Sequence, residues 1–172
     1  MSFPELPLAA LNQLVTIEAA AAFSELTLSN RDDTLKWQDD SAWPNSWRRA
    51  HLFPAVEMVQ LERLRRRTMQ AFDEIFGQVD ALIGPNYGGG ALVATNATGH
   101  PSLAVKAGFI DAPTRGLRDE AIDPAGPKYR VPRTVSLWAP LFREDVLIAL
   151  GRALEAQLAV ADEHPAQSTH PL

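Results

Sequence analysis

Between Asp80 and Val105 the chain is punctuated in a way that few local structures accommodate. An apolar run from Val79 to Gly84 is closed by Pro85, the glycines Gly88, Gly89 and Gly90 follow, and a second apolar run begins at Pro101. Proline ends a ladder because it has no N–H to donate, and it is tolerated at a strand's first residue. Glycine allows positive φ and close backbone approach. The segment therefore predicts a short buried-type strand, a Gly-rich turn able to wrap a small ligand, and a second strand over Pro101 to Ala107.

The remaining chain is read from its periodicity. Leu11, Val15, Ala19, Ala22 and Leu26 recur at helical spacing within Leu8 to Leu28, and Pro4 and Pro7 mark the start. Ser29 to Trp47 is polar and predicts a loop or short helical turns, although Trp37 and Trp43 need an apolar place to go. Pro54 to Phe76 is the clearest helix, with Pro at its start and Gly77 after its end. Val56, Val59 (or Gln60), Leu64, Thr68, Phe72 and Ile75 trace its apolar face. Its arginines, Arg63, Arg65, Arg66 and Arg67, are matched by Glu57, Glu62, Asp73 and Glu74. A solvated or interface helix, with Glu62 and Arg66 as an i,i+4 pair, is favoured over an acidic-ligand site.

Gly108 to Lys128, rich in Pro and Gly, reads as a long irregular connection, and Arg133 to Trp138 as a third strand. Asp145 to Glu163 forms a last amphipathic helix through Val146, Leu150, Leu154, Leu158 and Ala161, and residues 164–172 read as a flexible tail. The expected fold is a single α/β lobe over residues 1–163, with a mixed sheet of a few short strands flanked by helices. Short apolar strands suit a sheet covered on both faces. Three strands leave an open edge for a protein partner or a second copy to cover.

Composition removes several function classes. The net charge of −5 among 172 residues disfavours nucleic acid as a partner. Absence of Cys excludes disulfides and thiolate catalysis, and no histidine pair has metal-ligand spacing, so neither metal nor cofactor is expected. No run approaches the roughly 18 apolar residues that span a bilayer. Met1 to Pro7 has no basic segment of a secretory signal, so no membrane association and a cytoplasmic location are expected.

Candidate chemistry is sparse. No serine stands in a G-x-S-x-G elbow or a Gly-Ser cluster, and Ser102 reads as a packed hydroxyl. His100 alone among the histidines lies beside a turn that could face a pocket; a structural turn residue is the favoured reading over a ligand contact. The neighbouring acids Asp32 with Asp33, Asp39 with Asp40, and Asp119 with Glu120 read as solvated surface. The Gly triplet has neither dinucleotide-binding nor P-loop spacing.

Several segments, taken in order, resemble the C-terminal half of the amidase signature hydrolases. Leu14 to Asp33 looks like the family's E-A-A-A-A-F helix and the polar segment after it. Ala42 to Glu57 (A-W-P-N-S-W-R-R-A-H-L-F-P-A-V-E) is similar to its tryptophan-and-proline lead-in to a long helix, and Gln60 to Arg67 to that helix's Q-x-x-R-x-R core. Asp80 to Pro85 looks like its D-v-l-v-x-P strand, and Thr95 to Pro101 matches its T-N-x-T-G-x-P turn. Gly108 and Phe109 match the G-F that ends the next strand, and Pro132 to Glu144 with the helix beyond resembles the closing strand and helix.

The resemblance implies a pocket wall without the catalytic residues. The family's Ser, cis-Ser, Lys triad lies in the N-terminal half, and none of Lys36, Lys106 and Lys128 is near a Gly-Ser-rich loop, so no catalytic residue carries over. Tyr87, Leu92 and Thr95 are expected near substrate. Gly88, Gly89, Gly90, Asn96, Gly99, His100 and Pro101 are expected to hold the turn. Ala139 followed by Pro140 stands where the family has Gly, and Thr114 to Arg130 has no counterpart. The implied function is the C-terminal part of a hydrolase acting on a carbon–nitrogen (amide) bond, inactive alone, with a small amide as substrate once an N-terminal half completes it. The alternatives are a stand-alone non-catalytic binding protein and the non-nucleophile subunit of a split hydrolase.

Overall fold

The computed structural model describes residues 5–86, 90–113 and 123–163, which pack as two compact units. The first holds the described residues through Val79 together with residues 90–100, and is helical. The second holds residues 80–86, 101–113 and 123–163, and contains the sheet.

The first unit opens with a 3-10 turn, Leu8–Leu11, that runs into α1 (Asn12–Ala22) and α2 (Ser24–Leu28). The expected single helix is thus broken at Phe23, whose backbone (φ −100°, ψ 17°) leaves the helical region. The break lays the Phe23 ring against Trp47, with centroids 4.6 Å apart. The buried face also differs from the expected one. Leu11, Leu14, Ala20 and Thr27 are buried, whereas Val15 is 49% exposed. A run of alanines leaves the phase of an apolar stripe weakly defined, so tertiary packing selects it.

The polar segment contains a 3-10 turn, Arg31–Thr34, and then α3 (Trp43–Ala50), with Pro44 in its first turn. Trp47 is buried, while Trp37 and Trp43 stay half exposed. Asp32, expected on the surface, is 0% exposed. Arg48 Nη2 lies 2.6 Å from Asp32 Oδ2 and 2.6 Å from Asp33 Oδ1. Only the Asp33 contact has hydrogen-bond geometry, so the buried carboxylate is held chiefly by charge.

Helix α4 (Ala55–Phe76) follows Pro54 as expected. Leu61, Leu64, Thr68, Phe72 and Ile75 are buried at spacings of three and four, but Val56 (63%) and Val59 (51%) are exposed. Glu62 pairs with Arg65 at 2.7 Å, an i,i+3 rather than the expected i,i+4 partner. Helix α5 (Gly90–Thr98) completes the unit by packing on α4, α1 and the 3-10 turn at Leu8–Leu11.

In the second unit β1 (Leu82–Pro85), β2 (Ser102–Pro113) and β3 (Lys128–Trp138) form a sheet of order β1-β3-β2. Both pairings are antiparallel, which corrects the expected mixed sheet, and β2 and β3 are long rather than short. The connection expected over Gly108 to Lys128 is therefore strand at both ends, and residues 114–122 lie outside the described ones. Strand β2 does not end at Gly108–Phe109. It bulges between Lys106 and Gly108, and pairing resumes to Pro113. Gly108 takes φ 149°, a conformation that favours glycine, and this lets the ladder bend and continue. Pro132 is tolerated in the central strand because β1 pairs only with Val135 to Trp138, leaving that side of Pro132 without a ladder.

Helix α6 (Glu144–Leu158) lies on β2 and β3. Val105, Leu137, Ala139 and Leu147 form the centre of this core, with Leu103, Val135 and Leu154 around it. Ala139 is fully buried there, and its N–H donates to the Pro101 carbonyl at 3.3 Å. The sheet is not covered throughout: Lys128 to Arg130, Pro132 and Arg133 are exposed, as is Ile83 at 63% on the edge strand. Beside that edge runs an apolar groove of about 380 Å³ between β1 and α6, lined by Leu82, Ile83, Leu150, Ala153 and Leu154. Among the described residues no helix is long and apolar enough to cross a membrane.

Candidate functional site

Residues 90–98, expected to belong to the connection between two strands, are helix, which corrects that part of the reading. Gly90 opens α5 and Gly99 ends it in the left-handed conformation (φ 81°), its N–H donating to the Thr95 carbonyl at 2.9 Å. The His100 N–H reaches the same carbonyl at 3.2 Å. This is the glycine stop of a helix C-terminus. The signal was present in the sequence: Thr98, four residues after Ala94 and three after Thr95, precedes Gly99, and these three are the buried residues of α5. The triplet before it masked the helix, because glycine is a poor helix former.

The helix separates the expected site residues. Leu92 and Asn96 are one turn apart and share a face. That face borders a crevice of about 170 Å³ with Leu11, Leu14 and Glu18 at α1 and Arg65 of α4. Buried Leu11 and Leu14 form an apolar floor, and exposed Asn12, Glu18 and Asn96 stand at the rim. The crevice is smaller than common ligand pockets and has room for a few heavy atoms.

Thr95 lies elsewhere. It is 1% exposed and its hydroxyl donates to the Ala91 carbonyl at 2.8 Å, so it faces the interior and not the crevice. Pro101 belongs to the second unit, leading into β2. Tyr87, Gly88 and Gly89 lie outside the described residues.

His100 is 6% exposed and sits in an aromatic slot. Its ring centroid is 5.2 Å from that of Phe72 and 5.3 Å from that of Phe76, stacked on the latter. Nδ1 is 2.7 Å from the Thr98 hydroxyl, which in turn lies 2.8 Å from the Ala94 carbonyl. The carbonyl can only accept, so the hydroxyl proton goes there, and Nδ1 carries the proton that donates to Thr98. Burial pushes the His100 pKa below 6.5, against the opposing field of Asp73. A hydroxyl beside an imidazole has the outline of a nucleophile and base. Here both are enclosed, so the pair holds structure together.

Other described serines offer no better pairing. The Ser136 hydroxyl donates to Asn86 Oδ1 at 3.1 Å, and a carboxamide cannot take its proton. Lys106 Nζ is engaged by the carbonyls of Ala161 and Glu163, each at 2.7 Å. Among the described residues no His, Asp or Glu group is arranged to hold a metal ion. What this arrangement can do is bind and position. In the comparisons with known proteins, no family model matches the chain and no curated protein matches it.

Proposed function

We propose that this chain is the C-terminal part of an amidase-like hydrolase, shaping the pocket of an enzyme whose nucleophile lies on another segment. The observation that carries the reading is the run of segments resembling the amidase signature family, above all T-N-x-T-G-x-P at Thr95 to Pro101. That run coincides with a single structural device, in which a helix ends at Gly99 and His100 is buried. On this reading α5 contributes wall, with Leu92 and Asn96 at a crevice, and the substrate is a small amide cleaved through an acyl-serine intermediate formed elsewhere.

The test has two parts. The purified 172-residue chain should show no Ser-dependent amide hydrolysis and no labelling by a fluorophosphonate. The DNA immediately upstream should encode, in frame or as an adjacent gene, a Lys and a Gly-Ser-Ser-Gly cluster. Robust hydrolysis by the chain alone would sink the claim of inactivity. Unrelated sequence upstream would favour a free-standing binding protein.

One observation favours the split-subunit form of this reading. Strand β1 is an edge, and the apolar groove beside it has Ile83 and Leu150 exposed. An uncovered edge with apolar surface invites a partner chain. Co-expression with the upstream product should then give one complex on size-exclusion chromatography. A monodisperse monomer that melts cooperatively and ignores that product would count against it.

A further inference from the structure

We propose that His100 is a proton-operated pin: neutral, it locks the end of α5 onto α4, and protonated, it releases that end. The argument begins with the slot. The ring lies against Phe72 and Phe76 of α4, so the residue just past α5 is fastened to the neighbouring helix by its side chain. The Thr98 hydroxyl accepts from Nδ1 and donates to the Ala94 carbonyl, which ties the ring to the last turn of its own helix.

A second proton must go to Nε2, since Nδ1 already carries one. The cation formed is then enclosed with aromatic rings and only 6% exposure. Burying a charge without a directed partner is costly. Compensation comes from the two ring faces, which attract a cation weakly, and from few charges. Helix α5 contains no titratable residue, and neither does the 3-10 turn Leu8–Leu11 packed on it; α1, also packed on α5, carries Glu18, which lines the crevice beside Leu92 and Asn96. On α4, Asp73 is the group whose charge acts on the ring, and its effect is smaller than that of burial. The cheapest relief is for the ring to leave the slot and reach water. When it does, the two N–H bonds to the Thr95 carbonyl lose their anchor, and α5 frays from its C-terminal end toward Asn96 and Leu92. That this loosens a substrate pocket rests on the function proposed above; the pin itself does not.

The test is hydrogen exchange on the full chain, with the His100 ring followed by NMR across the same pH series. Between about pH 7.5 and about pH 5.5, protection of the Gly99 and His100 amides, corrected for intrinsic exchange, should fall severalfold, up to the limit of about tenfold that one proton allows over this range. Amides in the middle of α4 should remain far better protected than these two at every pH, which separates local release of the pin from global unfolding. His100→Phe keeps an aromatic group in the slot without a proton to gain, and its protection should be flat with pH. Constant protection in the native chain, or an equal loss in His100→Phe, overturns the proposal. Should that variant fail to fold, Thr98→Val removes the acceptor for Nδ1, and the two amides should already be less protected at about pH 7.5. Unchanged protection there also overturns it. Absence of hydrolytic function would leave these exchange results as they are.

Discussion

Gly151 on α6 lies so close to Leu103 on β2 that a Cβ at position 151 would overlap Leu103 Cδ2, with Val105 Cγ2 also 3.7 Å away. The bare helix backbone at Gly151 rests directly on side chains of the sheet. Alanine at this position would gain about 1 kcal/mol of helix propensity. It would also force the end of Leu103 aside, and overpacking of this kind costs about 1–3 kcal/mol. Gly151→Ala should therefore destabilise the protein by about 1 kcal/mol. In a Leu103→Ala background the same change should stabilise it, because the space is then open. A double-mutant cycle by urea unfolding checks this, and equal effects in both backgrounds would refute the contact.

Arg48 and Asp32 should be a strongly coupled pair. Asp32 is buried and Arg48 is the cation beside it at 2.6 Å. Arg48→Ala would strand the carboxylate, a change of about 3 kcal/mol or more when one partner of a buried pair is removed. Asp32→Asn should cost less, since no buried charge remains. Chemical denaturation of the two single variants and the double variant reads out the coupling. An Arg48→Ala loss no greater than that of Asp32→Asn would contradict the assignment.

Phe142 holds φ 63° while 87% of its surface faces solvent. The left-handed conformation costs a non-glycine residue about 1–2 kcal/mol, and the exposed ring buries little in return. Phe142→Gly should thus raise the thermal midpoint or leave it unchanged, despite the loss of a large aromatic side chain. A lower midpoint by calorimetry would show that the ring packs against something in solution.

Global stability should fall in two separate pH windows. Burial lowers the His100 pKa from 6.5, so the unfolded chain binds the proton more readily than the folded one. The stability this group contributes is complete above about pH 6.5 and declines as pH falls toward the depressed folded value. Asp145 is lowered from 3.8 by its hydrogen bond with Arg143, so its contribution is present above that value and is lost only in stronger acid. Calorimetry across pH on the native protein and His100→Phe should show the upper decline in the native chain only.

A substitution series tests the placement of the α5 side chains. Thr95→Val should alter stability modestly and leave any ligand at the crevice unaffected, because the hydroxyl serves the backbone at Ala91. Asn96→Ala should leave stability within about 0.5 kcal/mol, as for an exposed surface position, and weaken any such binding. A fragment screen by NMR, followed by titration of both variants, distinguishes the two residues. Binding lost in Thr95→Val but kept in Asn96→Ala would reverse the assignment.

Much of the architecture was legible because its signals are local. Helix α4 follows Pro54 and stops before Gly77, and part of each described strand falls in an apolar run that the sequence marks. The candidate site was less legible. Helix α5 hid behind glycines, and Thr95, read as a pocket residue, turned inward because the helix places it about 100° round from Asn96, on the buried side with Ala94 and Thr98. The ends of β2 and β3 were missed because Gly108 and Pro132 look like breakers. A bulge and a one-sided ladder make both tolerable.

Sequence alone determined the positions of α4 and α6, part of each described strand, and the absence of thiol chemistry, since propensity, periodicity and composition act over a few residues. Tertiary structure alone decided that the sheet is antiparallel throughout and that Phe23 breaks a helix to meet Trp47. It also decided that Asp32 is buried beside Arg48 and that His100 packs against two phenylalanines. Each of these depends on groups far apart in the chain. Their energies exist only once the backbone has brought them within a few ångströms of one another.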